Sequence, residues 1–165
     1  MDDNSNNYAL DKIDIRILKA LQAQGRISNV ELSKCVNLSA TPCLERVKRL
    51  QKNGYIKGYH AELNADKLNA GLLVFVQVSL DKTTPDIFSL FRSALIQHEQ
   101  VMECHMVAGG FDYLLKLRFS DMRSYRDFLG NELTALPGIM QTHTYIVMEE
   151  VKSTASIPLP AESRL

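Results

Sequence analysis

The chain has 165 residues, with 19 lysine and arginine residues against 19 aspartate and glutamate residues. Hydrophobic residues make up 45% and charged residues 23%, which is typical of a folded globular protein and argues against long disorder or a fibre. No apolar run approaches the roughly 20 residues that cross a bilayer, and the polar, acidic start is not a secretory signal. The length fits one ordinary domain or two small ones.

The cysteines and the charge distribution narrow the class of protein further. Cys35, Cys43 and Cys104 are odd in number and widely spaced, so they form neither a disulfide framework nor a zinc cluster, and a reducing cytoplasm suits them. Residues 1–61 carry ten basic and six acidic side chains, a balance of +4, whereas residues 62–165 balance at −4. Such asymmetry is expected of a basic binding module joined to a second part, although solvated faces also differ by a few charges.

Two short helices are predicted at the start of the chain. The first has apolar residues at helical spacing, namely Leu10, Ile13, Ile17 and Leu21, and ends near Gly25. Ser28 and Glu31 have the spacing of a capping box, in which each side chain binds the other residue's backbone amide. This box predicts a second helix over residues 29–36.

A third helix and a ribbon are predicted next. The helix begins within residues 39–42, where a proline is tolerated in the first turn, and it ends at Asn53-Gly54. Its predicted buried stripe consists of Leu44, Val47 and Leu50. Residues 55–63 are predicted to form a short β-ribbon that turns at Gly58.

Three short helices, a tight break and a ribbon indicate a winged helix-turn-helix, in which the third helix enters the DNA major groove. A generic three-helix bundle with a solvated basic face is the alternative. In the first interpretation, Thr41, Cys43, Arg46 and Lys48 face bases or phosphates, and Arg49, Lys52 and Lys57 face phosphates. The candidate DNA contacts also include Ser28, Asn29, Ser39 and Pro42 at the starts of the second and third helices.

The rest of the chain has the element order β-α-β-β-α-β. Residues 64–70 are polar and suit a hinge, and strands are predicted at residues 72–80, 101–108, 111–119 and 139–149. Thr84-Pro85 and Ser120-Asp121 begin the two helices. This order predicts an α+β fold, a ferredoxin-like sandwich with an antiparallel sheet and both helices on one face.

The other face of this sheet would be apolar and uncovered in a monomer. The residues predicted to lie on it are Leu73, Phe75, Leu114, Tyr145 and Val147. A large exposed apolar face usually marks an interface, so self-association is expected. The alternative is an error of one residue in the phase of a strand, which would turn every side chain to the opposite face.

No catalytic or metal-binding motif is found, so we expect neither enzyme activity nor a cofactor. Cys104 and His105 are neighbours on a strand, where side chains point to opposite faces, and they cannot act on one substrate or metal. The loop at residues 107–113 offers another possibility. Gly109-Gly110 amides could hold a carboxylate and Asp112 an ammonium group, which suits a free amino acid. A plain hairpin turn with a solvated aspartate is the simpler alternative.

The chain also resembles a known family. LDKIDIRILKALQAQGRISNVELSKCVNLSATPCLERVKRLQKNGYIKGYHAELN, ECHMVAGGFDYLLKLR and LPGIMQTHTYIVMEEVK are similar to the Lrp/AsnC family, and most similar to its leucine-responsive branch. The resemblance covers about residues 8–158. Two departures are Gly110, where relatives often have aspartate, and Ala40, where they often have proline.

The resemblance implies a DNA-binding transcriptional regulator of amino-acid metabolism genes in the bacterial cytoplasm, associated with the nucleoid. It implies double-stranded DNA and an amino acid such as leucine as partners, homodimers that assemble to octamers, and no membrane association. The implied effector region comprises Met106, Val107, Ala108, Gly109, Gly110, Asp112, Met122, Tyr145, Ile146 and Val147. A local regulator of one operon, or an amino-acid sensor that does not bind DNA, remains an alternative.

The predicted domain organisation has five parts. They are a disordered tail at residues 1–9, the winged helix-turn-helix at 10–61, a hinge at 62–71, the αβ-sandwich for effector binding and oligomerisation at 72–151, and a C-terminal tail at 152–165.

Overall fold

The computed structural model describes residues 9–160, and these divide into two compact units. Residues up to 62 together with those from 153 form the first unit, and residues 63–152 form the second. The disordered tail predicted at residues 1–9 lies outside the described residues, except for Ala9. Across residues 9–160, no helix is long and apolar enough to span a membrane.

The first unit contains three helices, α1 (Lys12–Ala23), α2 (Asn29–Cys35) and α3 (Ala40–Lys52). The predicted capping box of α2 is confirmed, since the Glu31 amide donates to Ser28 Oγ at 3.2 Å and the Ser28 amide donates to Glu31 Oε2 at 3.1 Å. A second capping box, between Asp11 and Asp14, begins α1 and was not predicted. Asn29 Nδ2 donates to the Ala40 carbonyl at 2.8 Å and joins the start of α2 to the start of α3.

The buried face of α3 differs from the predicted stripe. Cys43 and Leu50 are fully buried and Val47 packs against them, whereas Leu44 is 40% exposed. Positions 43, 47 and 50 also follow helical spacing, and the small cysteine fits the cluster formed by Ile17, Leu32 and Val36. The prediction that Leu44 belongs to the core is therefore wrong.

The predicted β-ribbon is also wrong, because residues 55–63 contain no strand. Gly54 has φ of 74° and turns the chain sharply at the end of α3. The amides of Tyr55 and Ile56 then donate back to the Leu50 carbonyl, at 3.0 and 3.4 Å. A second glycine at position 58 weakens strand formation further, since glycine loses the most backbone freedom in a strand.

The segment predicted as a C-terminal tail is partly built into the first unit. Gln22 Nε2 donates to the Ile157 carbonyl at 3.1 Å, and the Ile157 amide donates to Gln22 Oε1 at 2.8 Å. Leu159 packs against the apolar cluster of the three helices. Residues 153–160 therefore form a structural part of this unit.

We expect truncation after Lys152 to lower the free energy of unfolding of the first unit by about 1–2 kcal/mol, because a partly buried leucine and two hydrogen bonds are lost. Truncation after Pro160 keeps these contacts and serves as the control. Urea unfolding of both variants and the full chain measures the change. Equal unfolding midpoints for the two truncations would show that residues 153–160 contribute nothing to the stability of this unit.

The second unit has the predicted β-α-β-β-α-β order. It contains β1 (Leu72–Leu80), α4 (Pro85–Leu95), β2 (Val101–Met106), β3 (Tyr113–Phe119), α5 (Met122–Asn131) and β4 (Ile139–Ile146). Short 3-10 turns lie at Asp66–Leu68 and Leu133–Ala135. The four strands pair antiparallel in the order β2-β3-β1-β4, which confirms the predicted ferredoxin-like sandwich.

The core of the second unit follows the alternation of the strands. Its strand residues are Val74, Val76, Val78, Leu80, Tyr113, Leu115, Leu117 and Phe119, and its helix residues include Phe91, Leu95, Tyr125 and Phe128. Met122, at the start of α5, is 48% exposed and does not belong to this core. Phe128 takes the buried position instead, because it stands three residues after Tyr125 on the same helical face.

Candidate DNA-binding helix and effector-binding surfaces

The exposed face of α3 is the candidate DNA-binding surface. Thr41, Glu45, Lys48 and Lys52 are exposed and recur at spacings of three and four residues, so they share one face of the helix. This face lies opposite buried Cys43 and Leu50. The predicted contacts Thr41, Lys48 and Lys52 therefore lie together, whereas Glu45 was not predicted although it is the only acidic residue of α3.

Cys43 does not lie on this surface. Its side chain is fully buried, and burial raises the pKa of its thiol. The prediction that Cys43 contacts DNA is wrong. It rested on the position of Cys43 in the first turn of the helix, while the phase of the helix turns this residue toward the core.

Arg46 also points inward. Its Nη1 atom lies 2.6 Å from Asp11 Oδ2 and 2.9 Å from Asp14 Oδ1, and the Asp14 side chain is completely buried. Hydrogen bonds to Asp11 and Asp14 raise the pKa of the guanidinium above its ordinary value. Arg49 Nη2 lies 3.5 Å from Asp14. We therefore assign Arg46 to holding α3 against α1, and its prediction as a DNA contact is corrected. Arg49 also contacts Asp14, but 43% of its side chain is exposed, so it is accessible to DNA as well.

The other predicted DNA contacts divide by their local roles. Ser28 is engaged in the α2 cap, and Asn29 is partly buried and joins the two helix starts. Ser39 is the N-cap residue of α3 without a side-chain cap bond, and Pro42 is exposed in its first turn. Lys57 is exposed in the segment after α3. Ser39, Pro42 and Lys57 are thus accessible to DNA, whereas Ser28 and Asn29 serve mainly to fix the helix starts.

The loop between β2 and β3 is the first part of the candidate effector region. The Val107 amide donates to the Asp112 carbonyl at 2.9 Å, and exposed Ala108, Gly109 and Gly110 form the tip. Neither glycine has positive φ, and a Cβ atom added at either would meet nothing within 4 Å. The space over this tip is open in the single chain, so the backbone there is accessible to a ligand and also accommodates a side chain at position 110.

Asp112 has a structural contact that was not predicted. The Leu80 amide donates to Asp112 Oδ2 at 2.8 Å, and the Asp112 amide donates to the Val78 carbonyl at 3.0 Å. These bonds tie the loop to the end of β1. The carboxylate therefore has a defined position at the base of the loop, with one oxygen bound to the protein backbone.

A second part of the region is a groove of about 590 Å³ between α5 and β4. The predicted residues Met122 and Ile146 line this groove, and Arg123 and Arg126 line it as well. The two arginines were not predicted, although their spacing of three residues places them on one face of the helix. An apolar groove with two cationic groups suits an amphipathic anion.

The single chain does not bring the loop and the groove together. Tyr113 at the loop pairs with Val78, whereas Ile146 in the groove pairs with Val74, four residues or about 13 Å away along β1. Met106 lies on the edge strand β2 and Ile146 on the opposite edge strand β4. A ligand that contacts both parts would need two copies of the chain.

The outer face of the sheet carries the remaining predicted residues. Tyr145 is 51% exposed, and Phe75, Leu114 and Val147 are half-buried. Leu73 is only 4% exposed, so its predicted exposure is wrong. It pairs with Arg118, whose side chain binds Glu150 and the Ala70 carbonyl and covers this corner of the sheet.

Polar contacts lie among the apolar side chains of this face. Lys116 Nζ lies 2.8 Å from Glu103 Oε1, and this hydrogen bond, with a second from His105, lowers the pKa of Glu103. Tyr145 Oη donates to Gln77 Oε1 at 3.3 Å. A mixture of apolar side chains and paired polar groups is typical of a non-obligate protein interface.

Cys104 and His105 lie on opposite faces, as predicted, because they pair with Leu115 and Leu114. Cys104 is exposed rather than buried in the core, since β2 is an edge strand. In the described part of the chain, no group of three or more histidine, cysteine, aspartate or glutamate side chains could hold a metal ion.

Comparison with known proteins matches the chain to two domain families. Residues 73–157 match the Lrp/AsnC ligand binding domain, and residues 10–57 match a winged helix-turn-helix DNA-binding domain. The chain is 57% identical over 145 residues to the leucine-responsive regulatory protein of Escherichia coli (strain K12), covering 88% of each protein. It is 55% identical over 152 residues to that of Haemophilus influenzae, covering 92% of each.

The chain is also similar to solved structures of transcriptional regulators. A Neisseria meningitidis transcriptional regulator in complex with L-Met superposes with a TM-score of 0.87 at 37% identity, covering 91% of this chain and 97% of that one. An AsnC family transcriptional regulator from Agrobacterium tumefaciens has a TM-score of 0.86 at 28% identity, covering 90% and 97%.

Proposed function

This chain belongs to the Lrp/AsnC family, and we propose that within this family it is a leucine-responsive regulator of amino-acid metabolism genes. It is a transcriptional regulator with a DNA-binding helix-turn-helix and an amino-acid-binding domain, and it is not an enzyme. The effector that we propose is leucine or a similar apolar amino acid such as methionine. The L-Met complex of the Neisseria relative supports an effector of this class.

The observation that carries the DNA part of the proposal is the exposed face of α3. Thr41 and Lys48 lie where a helix in the major groove reaches base edges, and Lys52 and Lys57 extend the positive charge toward the phosphates. An amino-acid sensor that does not bind DNA would have no use for such a face. Because DNA is its partner, we place the protein in the cytoplasm, at the nucleoid.

For the effector, we propose a pocket shared between two chains. The loop of one chain would supply the Gly109 and Gly110 amides for the carboxylate and Asp112 for the ammonium group. Met122 and Ile146 of another chain would contact the apolar side chain. The groove that they line and the open loop tip support this division, because the two parts lie far apart in one chain.

A shared pocket requires assembly, and we propose homodimers that associate into octamers. The outer sheet face, with Phe75, Leu114 and Tyr145, supports this proposal because half-buried apolar side chains there gain burial in a complex. An effector that binds one assembly better than another shifts the assembly equilibrium and thereby DNA affinity.

Asp112→Asn tests the effector site. The asparagine oxygen can still accept the hydrogen bond from the Leu80 amide, so the loop keeps its anchor while the negative charge is lost. We expect leucine and methionine affinity to fall about tenfold or more, because a charge-assisted hydrogen bond is lost, with effector-free DNA binding unchanged. Titration calorimetry and a gel shift with the protein's own upstream DNA measure the two effects.

Asp112→Ala is the comparison variant, since it removes both the charge and the anchor. Amino-acid affinity unchanged in Asp112→Asn would exclude Asp112 from the ammonium site. No binding of any of the twenty amino acids to the wild-type chain would overturn the proposed effector class.

A further inference from the structure

An acidic residue stands in the middle of the face that we assign to DNA. Glu45 follows Thr41 by four residues and precedes Lys48 by three, and 63% of its side chain is exposed. The buried residues Cys43 and Leu50 lie on the opposite side of the helix. A carboxylate at this place would point into the major groove together with the lysines.

Stability does not account for this glutamate. Its Oε1 atom lies 3.1 Å from Lys48 Nζ, in an ion pair whose two side chains are 63% and 60% exposed. Exposed ion pairs of this kind contribute little to the free energy of folding, and a negative side chain near the DNA phosphates opposes binding. A glutamate on this face therefore needs a compensating contact in the complex with DNA.

The bases offer one such contact. In the major groove, cytosine presents an amino donor, whereas guanine presents only acceptors and the amino group of adenine stands beside the N7 acceptor. A carboxylate accepts hydrogen bonds but cannot donate them, so cytosine suits it best. Lys48 Nζ donates to Glu45 Oε1 and reduces the repulsion between the carboxylate and the phosphates. The other carboxylate oxygen, Oε2, can then accept the hydrogen bond from the base.

We propose that Glu45 is a specificity-determining residue that accepts a hydrogen bond from the amino group of a cytosine in each operator half-site. Lys48 positions its carboxylate and offsets its charge. This inference rests on the proposed placement of α3 in the major groove.

Selection of bound sequences from a randomised duplex, with the full wild-type chain, Glu45→Gln and Glu45→Ala, tests the proposal. We expect the wild type to prefer cytosine about tenfold at one position of each half-site. Glu45→Gln should move the preference at that position toward adenine, with which glutamine forms two hydrogen bonds. Glu45→Ala should lose the preference there, while its affinity for non-specific DNA stays equal or rises because a negative charge is removed.

Two variants separate base reading from other effects. Glu62→Gln removes the same charge from an exposed position outside α3 and should leave every base preference unchanged. If Glu45 acts only by orienting Lys48, Glu45→Gln will not shift the preference toward adenine, and Glu45→Ala and Lys48→Ala will both weaken binding to all sequences, which would overturn the proposal. Unchanged preferences in both Glu45 variants would overturn it while leaving DNA recognition by the wild type intact. A wild type without any sequence preference would overturn the proposed placement of α3 as well.

Discussion

Replacing Arg46 with alanine is expected to lower the free energy of unfolding of the first unit by about 3 kcal/mol. The substitution removes the guanidinium that lies 2.9 Å from the completely buried Asp14 carboxylate, and breaking a buried ion pair on one side is strongly destabilising. Arg49, at 3.5 Å, still offsets part of this charge, which keeps the effect at the lower end of the range for buried pairs. Urea denaturation followed by circular dichroism measures it.

Two controls make the Arg46 result specific. Lys48→Ala removes a cation from the exposed face of the same helix, and its exposed pair with Glu45 predicts a loss of less than about 1 kcal/mol. Combining Arg46→Met with Asp14→Leu removes both buried charges and should recover most of the stability. Equal unfolding midpoints for Arg46→Ala and Lys48→Ala would contradict a structural role for Arg46.

The same cluster gives the first unit an acid-sensitive contact. Burial raises the pKa of Asp11, but hydrogen bonds from the Asp14 amide and from Arg46 outweigh it, so the pKa lies below its ordinary value of 3.8. A depressed carboxyl pKa stabilises the fold above the unfolded-state value, and this contribution is lost as the pH falls through the folded-state value. Because 48% of the Asp11 side chain is exposed, solvent screening keeps the contribution small.

The sequence predicted those features of the fold that depend on short-range patterns. The alternation of Tyr113, Leu115 and Leu117 gave the buried face of β3, and the spacing of Ser28 and Glu31 gave the start of α2. Both patterns are local, because the side chains of a strand alternate with a period of two residues and a capping box spans four residues. The ferredoxin-like order of the second unit followed from them.

Features that depend on distant partners could not be predicted in this way. The burial of Asp14 could not be predicted, since its partner Arg46 lies 32 residues away. The contact of Gln22 with Ile157 spans 135 residues. On α3, Leu44 and Cys43 both fit a helical period, and only the packing against α1 and α2 decides which is buried. Glu45 was missed because mainly basic residues were chosen as DNA contacts, and the two groove arginines were missed because mainly loop and apolar residues were chosen as effector contacts.

The effector region shows a different limit. The resemblance to the family selected Met106, Asp112 and Ile146 as one group, while one chain holds Met106 and Asp112 at the β2–β3 loop and Ile146 on the opposite edge strand. Residues that meet only between copies leave no spacing pattern within a sequence. Assembly is therefore the step on which the proposed amino-acid response depends.

Leu114→Glu tests this assembly, and we expect it to yield a dissociated protein in sedimentation experiments. Leu114 lies on the outer face, near the loop end of the inner strand β3, where it pairs with Gln77 on one side and His105 on the other. Removing a carboxylate from water in an interface costs several kcal/mol, and the neighbouring His105 and Lys116 offset part of that cost. The second unit should still fold, because the neighbouring Leu115 supplies the core side of the strand.

The larger consequence of Leu114→Glu is expected in DNA binding. Two linked DNA-binding units reach two half-sites, and the second contact is strengthened by the high effective concentration that linkage gives. We expect affinity for a two-half-site operator to fall about 100-fold, with affinity for a single half-site unchanged. Leu114→Met, which keeps an apolar side chain of similar volume, should retain both assembly and affinity. A Leu114→Glu protein with wild-type mass and wild-type operator affinity would show that this sheet face does not mediate assembly, and the shared effector pocket would then have to be formed through another surface.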